Sequence, residues 1–225
     1  MTVTAILPVP AGFAEHRDAV FTPVAGRSPL ARILAALADT GEVVVAAAGE
    51  IADPIRETLA GERFSAVRLV VAEPPGEQAQ CVSAGLRGLP ADAHVLLHDL
   101  RWPIVPAAAV RRIAEELSSG APAALPVRPV TDSVKVVDAQ GTLTATVDRA
   151  PLRTVQYPRG YTAETLARLV DRRLPGPFDD LEAVLADGVD VVLVDGDDTA
   201  LRIVSPDDTD YLAALIEARD DPPGR

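Results

Sequence analysis

The sequence predicts an α/β fold of three layers, with helices on both faces of a mostly parallel sheet and a β-hairpin arm projecting from it. Three observations carry this reading. Short β-branched and apolar runs alternate with amphipathic helical segments from residue 3 to residue 127, the pattern of a parallel sheet wound by crossover helices. Apolar residues make up 48% of the chain and aromatics only 4%, so the core is built from Ala, Val, Leu and Ile, which suit strands buried on both faces. The alternation breaks at VKVVDAQGTLTATVD, two alternating segments around Ala139-Gln140-Gly141 that read as a hairpin outside the main wind.

The elements follow in order. The apolar run 3–9 is a buried strand ended by Pro8 and Pro10, and 11–28 is loop-like, with Gly12, Pro23 and Gly26. Ser28 before Pro29 is a helix cap with proline at the first helical position, so a helix runs through LARILAALADT until Gly41. A strand over 42–48, a helix over 51–60 and a strand over 67–71 come next, then the turn residues Glu73, Pro74, Pro75 and Gly76. A helix over 78–86 leads to a strand over 93–97, with His98 and Asp99 at its carboxyl end. Pro106 opens a helix to Leu117, and 123–127 is a strand. After the hairpin come helices near 162–172 and 178–187, a strand in VDVVLVDG and a helix over 207–218. The polar end, 220–225, is expected to be disordered. In sheets of this kind ligands bind outside the carboxyl ends of the strands, which puts loop 8–27, turn 74–78 and His98–Asp99 on one rim.

Composition narrows the function. A length of 225 residues favours one domain, taken as 1–219 with 128–150 as an arm. The net charge of −12 repels nucleic-acid phosphates, although a few local cations suffice for a small phosphorylated substrate. Cys81 stands alone, so no intramolecular disulfide forms, which is compatible with a cytoplasmic location. The N-terminus lacks a basic start and a long apolar run, and no stretch approaches the roughly 20 apolar residues of a membrane span.

Three segments then carry a resemblance: HDLRWPIVP (98–106), PVTDSVKVVDAQGTLTATVDRAPLRTVQYPRGY (129–161) and LRIVSPDDTDYLAAL (201–215). Together, in order and spacing, they resemble the 2-C-methyl-D-erythritol 4-phosphate cytidylyltransferase family, whose fold is a Rossmann-like nucleotidyltransferase sheet. The family transfers a cytidylyl group from CTP to a sugar-alcohol phosphate with Mg²⁺ and releases pyrophosphate. The resemblance implies that Asp99 holds the metal and touches substrate. It also implies that Ser133 of the arm touches substrate and that Arg149 reaches the substrate phosphate across a homodimer interface. Arg202 stands for a lysine near substrate and phosphates, and Arg17 for the loop arginine. Pro8, Gly12, Arg17 and Cys81 fall along the nucleotide loop and the helix that completes it.

The same comparison exposes departures. The family's glycine-rich loop, with its arginine and lysine, reads here PVPAGFAEHRDAVFTPVAGRSPL. Gly12 alone remains of the glycine pattern, Pro8 and Pro10 lack N–H donors, and no lysine precedes Lys135. Gln78 and Cys81 replace a basic residue and a serine, the motif arginine is shifted to Arg101, and a Gln-Thr-Pro-Gln motif has become Gln156-Tyr157-Pro158-Arg159. Arg17, Arg27, Arg101 and Arg159 are the candidates to replace the lost cation.

Simpler readings stand beside several residues. Arg149 is a substrate contact or a solvated arm residue, and Lys135 faces solvent. His98 is structural, held by the backbone. Trp102 packs over the sheet edge or stacks on a base. Asp179 and Asp180 favour a helix N-terminus. Asp195, Asp197 and Asp198 form an acidic turn. Two further functional readings remain open: a non-catalytic relative that kept the dimer, and a transferase with a different nucleotide or acceptor.

Overall fold

The computed structural model describes residues 3–62, 64–172, 176–203 and 208–220. Strand β1 (Val3–Val9) is buried along its whole length. Its side chains diverge with the period of two that a strand imposes. Val3, Ala5, Leu7 and Val9 enter one apolar cluster, while Ile6 enters another. The first cluster lies under helices α2 (Pro29–Ala38), α3 (Gly49–Glu62) and α5 (Ala107–Ser118), through Leu30, Leu34, Ile51, Ile55 and Ile113. The second lies under α4 (Gln78–Leu86), α6 (Ala163–Asp171) and α7 (Asp180–Asp187), through Val82, Leu166, Leu169 and Val184. The three expected layers are therefore present, and each is covered by the aliphatic residues the composition requires.

Around β1, the strands β2 (Gly41–Ala47), β3 (Val67–Val71) and β4 (His94–Leu97) pair in parallel, in the order β4-β1-β2-β3. Beyond β4 the sheet continues through an antiparallel strand to β5 (Ala123–Pro129) and, parallel to it, β10 (Val191–Asp195). The arm is a separate two-stranded sheet of β6 (Val134–Val137) and β7 (Leu143–Val147), as the alternating segments predict. Ser28 caps α2 by accepting from the Ala31 N–H at 3.2 Å, and Pro29 follows it. A short α1 (Arg17–Phe21) and a 3₁₀ turn (Ala11–Ala14) lie inside the expected loop. The last helix, α8 (Asp208–Asp220), buries Leu212 and Ile216 against Val24 and Ile104. The expected disordered end lies, from residue 221, outside the described residues, as do 204–207 of the third motif.

The sequence reading missed the two strands that close the sheet. β8 (Arg153–Val155) and β9 (Arg159–Thr162) run antiparallel along β5, and β9 also fills the space between β5 and β4. Pro158 between them and Gly160 within β9 both speak against a strand locally. The sheet accepts them because α5 presses on the backbone there: a Cβ on Gly160 would lie 2.3 Å from Ile113 Cγ2 and 3.1 Å from Leu117 Cδ1. Gly160 is small because a helix crosses directly over it.

Since β9 opposes both neighbours, β5 and β10 point the same way as β1 and β4. The loops after β1, β3, β4, β5 and β10 therefore share one rim, and the arm leaves from it. Gly160→Ala is expected to lower the unfolding free energy by about 1–3 kcal/mol, the usual cost of overpacking. Gly12→Ala, where an added Cβ meets nothing within 4 Å, leaves stability nearly unchanged. Urea denaturation of both variants measures the difference.

Candidate functional site

The rim is stitched together by backbone hydrogen bonds between loops. The Ala48 N–H donates to Val9 O at 3.0 Å and the Ala72 N–H to Ala47 O at 2.8 Å, extending the sheet pairing into the loops. The Ala11 N–H donates to Gly76 O at 2.9 Å, tying the first loop to the turn after β3. Gly76 has φ +73°, and a Cβ on it would stand 2.6 Å from the Cβ of Ala48, so backbone conformation and space both demand glycine. Cys81 is buried under this turn, its thiol 3.6 Å from the same Gly76 carbonyl. Burial pushes that thiol up to about 12, so it stays protonated and supports the turn from below.

The first loop spends its cations and donors internally. Arg17 donates to Ala14 O at 3.3 Å and Glu50 O at 3.2 Å. Arg27 forms an ion pair with Glu62 at 2.7 Å, with its guanidinium 5.8 Å from the Phe64 ring centre. Pro8 is buried in β1 opposite Ala46, and Gly12 is exposed. The Phe13 N–H returns to Pro10 O at 3.0 Å.

At the end of β4 the chemistry is denser. The His98 N–H donates to Ile6 O at 2.9 Å, which holds the strand end against β1. Its ring is fully buried, with Nε2 donating to Trp102 O at 2.8 Å and Nδ1 without a partner among the described residues. Burial lowers its pKa to about 4, so the imidazole is neutral and structural, as expected. Asp99 is next, 8% exposed, and its carboxylate is gripped by Arg101. Oδ1 accepts from the Arg101 backbone N–H at 2.9 Å and from Nε at 3.0 Å, and Oδ2 accepts from Nη2 at 2.5 Å. Burial pushes the carboxyl upward, but the Arg101 hydrogen bonds and charge outweigh it and hold Asp99 below the usual carboxylate range.

Residues 202–203 join this loop, because the Ile203 N–H donates to Arg101 O at 2.8 Å. Arg202 is exposed beside it. Asp99, Arg101 and Arg202 thus come from two distant segments to one stretch of the rim. Ser133 is exposed on the arm, and Arg149 at the arm's base donates to the Thr131 carbonyl. Lys135 bonds Thr146 across the hairpin at 2.8 Å.

Sequence reasoning missed what organises this corner. Asp180 does not serve the helix end alone: it is 3% exposed, with Arg159 Nη1 at 2.7 Å and the Tyr157 hydroxyl at 3.0 Å on Oδ1, and the Tyr161 hydroxyl at 2.6 Å on Oδ2. Asp179 is the cap, accepting from Leu181 N at 2.8 Å and Glu182 N at 3.1 Å. Arg159 is therefore committed to the interior and Arg27 to Glu62, which removes both as replacements for the lost loop cation. Tyr157 meets the His98 ring edge-on and the Trp102 ring at a tilt, each with centroids 6.1 Å apart, so Trp102 packs in the core. Gln156 donates to Asp197 O and Ala200 O at 2.9 and 3.0 Å and accepts from the Asp197 N–H at 2.9 Å, pinning the loop that leads to Arg202. Within the acidic turn, Asp197 accepts from the Thr199 N–H and hydroxyl at 2.8 and 2.6 Å, while Asp198 pairs with Arg128. A signal for this corner existed: two of the chain's three tyrosines and an arginine fall within five residues of a chain with 4% aromatics.

A Mg²⁺ ion prefers hard oxygen ligands, often one or two carboxylates completed by phosphate oxygens and water. Asp99 fits by type and place, at a strand end on the rim. Among the described residues no group of three or more His, Cys, Asp or Glu side chains converges to hold a metal, and Arg101 occupies the oxygens Asp99 would use.

A mostly parallel sheet flanked by helices, with a charged cluster and a projecting arm at the carboxyl ends of its strands, defines an α/β protein of the nucleotidyltransferase kind. The model of the 2-C-methyl-D-erythritol 4-phosphate cytidylyltransferase family matches residues 6–218, and the chain belongs to that family. The enzyme of that name from Rhodococcus jostii (strain RHA1) is 34% identical over 206 residues, covering 90% of this chain and 88% of that protein. The one from Nocardia farcinica (strain IFM 10152) is 34% identical over 209 residues, covering 91% and 88%. Among solved structures, 2-C-methyl-D-erythritol 4-phosphate cytidylyltransferase from Thermus thermophilus superimposes with a TM-score of 0.73 at 26% identity, covering 96% of this chain and all of that one. 4-Diphosphocytidyl-2C-methyl-D-erythritol synthase from Anaerococcus prevotii DSM 20548 shares the fold, with a TM-score of 0.78 at 18% identity over 96% and 98% of the two chains.

The buried His98 sets a pH dependence. The unfolded imidazole takes up a proton below 6.5 and the folded one only near 4, so acid favours unfolding across that window. Stability is expected to fall by about 3 kcal/mol from this group as pH drops from 6.5 to 4. His98→Asn removes that part of the slope, which chemical denaturation at a series of pH values reads directly. An unchanged slope would refute the assignment.

Proposed function

We infer that the chain transfers the cytidylyl group of CTP to 2-C-methyl-D-erythritol 4-phosphate, releasing pyrophosphate, in the synthesis of isoprenoid precursors. A phosphate oxygen of the acceptor bonds to the α-phosphorus. The bond from that phosphorus to the bridging oxygen breaks, and pyrophosphate leaves with the electron pair. Such a transfer asks the protein for positioning and positive charge more than for covalent help. The observation that carries the reading is the meeting of Asp99, Arg101 and Arg202 on one rim of a chain that belongs to this family.

In this reading Arg202 and Arg17 act on the reacting phosphates, with Gly12 and Pro8 lining the nucleotide loop and Cys81 holding its turn. Asp99 would hold the Mg²⁺ that accompanies CTP, and that ion supplies charge neutralisation on the triphosphate. The working unit is one nucleotidyltransferase-like domain over 1–219, with 128–150 reaching into a second copy, so that Ser133 and Arg149 serve the partner's acceptor phosphate. The chain acts in the cytoplasm; no helix among the described residues is long and apolar enough to cross a membrane. A self-paired arm is supported by its exposed Val136, Val137 and Leu143, large apolar side chains that the hairpin leaves uncovered within one copy.

A second reading, a non-catalytic relative or one with another nucleotide, is favoured by the first loop. Pro8 and Pro10 carry no N–H, the Ala11 N–H is given to Gly76, and Arg17 rests on two backbone carbonyls. Thermal shift against CTP, UTP, ATP and GTP, with and without Mg²⁺, separates the readings. We expect a Mg²⁺-dependent shift with CTP and pyrophosphate release with the methylerythritol phosphate acceptor, reduced about 100-fold or more in kcat/KM by Arg202→Ala. A shift with a different nucleotide changes the substrate, and none at millimolar CTP gives the second reading. Sedimentation tests the arm: the wild type is expected to run as a dimer and Val136→Asp/Leu143→Asp as a monomer, and a wild-type monomer would overturn that part.

A further inference from the structure

Asp99 reaches the rim with its charge already answered from inside the chain. Four hydrogen bonds from one residue fall on its two oxygens: the Arg101 backbone N–H at 2.9 Å and Nε at 3.0 Å on Oδ1, and Nε at 3.1 Å and Nη2 at 2.5 Å on Oδ2. This is the forked, charge-assisted geometry in which a guanidinium matches a carboxylate best. The pair is asymmetric in its access to water: the Arg101 side chain is 49% exposed and that of Asp99 only 8%. A cation arriving from solvent therefore meets the guanidinium before it meets the carboxylate. A divalent ion on either oxygen would sit within a few ångströms of a positive group, a strong repulsion where water is scarce.

The clasp is built so that it can open. Arg101 and Asp99 are two residues apart in one loop, and the backbone of that loop is fixed independently, by Trp102 N–H to Asp99 O at 2.9 Å and Ile203 N–H to Arg101 O at 2.8 Å. Releasing the guanidinium needs side-chain rotation alone. Its Nη1 has no hydrogen-bond partner among the described residues, which leaves a donor edge for an incoming anion. The first loop offers little competition for that anion, because Arg27 is held by Glu62 and Arg17 donates to the Ala14 and Glu50 carbonyls.

We propose that Arg101 is a resident competitor of divalent metal at Asp99: while its guanidinium grips the carboxylate the ion is kept off, and an anion that takes the guanidinium frees Asp99 for the ion. Arg101 acts here through Asp99, as a positioning residue. In the cytidylyltransferase reading the anion is the triphosphate of CTP, and that part rests on the reading. The competition between Arg101 and the metal does not.

The test follows the backbone amide resonances of residues 97–102 in the isotope-labelled full chain as Mn²⁺, a paramagnetic stand-in for Mg²⁺, is added alone. In Arg101→Gln these amides are expected to broaden at a Mn²⁺ concentration about tenfold or more below that needed in the wild type. Arg101→Lys, which keeps the charge but cannot bridge both oxygens, broadens at an intermediate concentration. Adding Asp99→Asn to Arg101→Gln abolishes the effect. Equal broadening in wild type and Arg101→Gln overturns the proposal, as does a natively folded Arg101→Gln whose amides stay sharp. Adding CTP to the wild type with Mn²⁺ is expected to broaden the same amides. If CTP has no effect while Arg101→Gln gains metal, the competition stands and the cytidylyltransferase reading is what fails.

Discussion

A carboxylate carried into an apolar interior must be met by donors, or it costs more than the fold can spare. Asp180 is met by three, the Arg159 guanidinium and the hydroxyls of Tyr157 and Tyr161. Both tyrosines are raised above their ordinary pKa, chiefly by burial and then by the Asp180 charge, so they remain donors across the accessible pH range. Arg159 completes the arrangement by lying over the Tyr157 ring at 4.1 Å. Removing one partner from such a pair typically costs ~3–5 kcal/mol, because the other is left buried and uncompensated. The arrangement fixes α7 to β9 and, with them, the short link through Tyr157-Pro158 that joins β8 to β9.

From that link the site is held on two sides. Tyr157 packs against His98 and Trp102, the residues that flank Asp99 and Arg101. Gln156, one residue earlier, carries three hydrogen bonds to the loop after β10, which continues to Arg202. Two adjacent residues, Gln156 and Tyr157, therefore orient both loops that bring charge to the rim. The precision of Asp99 comes from this packed support, and its ionisation from Arg101. A chain of net charge −12 can hold a cationic site in this way, because the cations are counted locally and not over the surface.

The first loop follows a different logic. In glycine-rich phosphate loops the backbone N–H groups converge on the anion. Here prolines remove two of those donors and Gly76 receives a third, so the loop is bound to the turn after β3. The donors of that loop are spent within the fold, and in the proposed transfer the burden of attracting phosphate shifts toward Arg101 and Arg202, beside the neighbouring strand β4. The chain differs here from the glycine pattern that its family resemblance implies, while the arm and the Asp99 loop keep the expected order.

The sequence by itself determined the layers. Helical spacing in 29–38, β-branched runs in β1 and β2, the Ser28-Pro29 cap and the alternating hairpin are local signals, and each is realised. It also put Asp99, Arg101 and Arg202 in segments of one family pattern. Only the tertiary structure decided the insertion of β9 between β4 and β5, since Pro158 and Gly160 argue against a strand until α5 and both neighbours are in place. It alone decided that Arg159 turns inward to Asp180 while Arg101 turns to Asp99. A guanidinium has the same local propensities in either role. Its partner is chosen by which carboxylate the fold brings within hydrogen-bond reach, across 21 residues of chain in one case and two in the other.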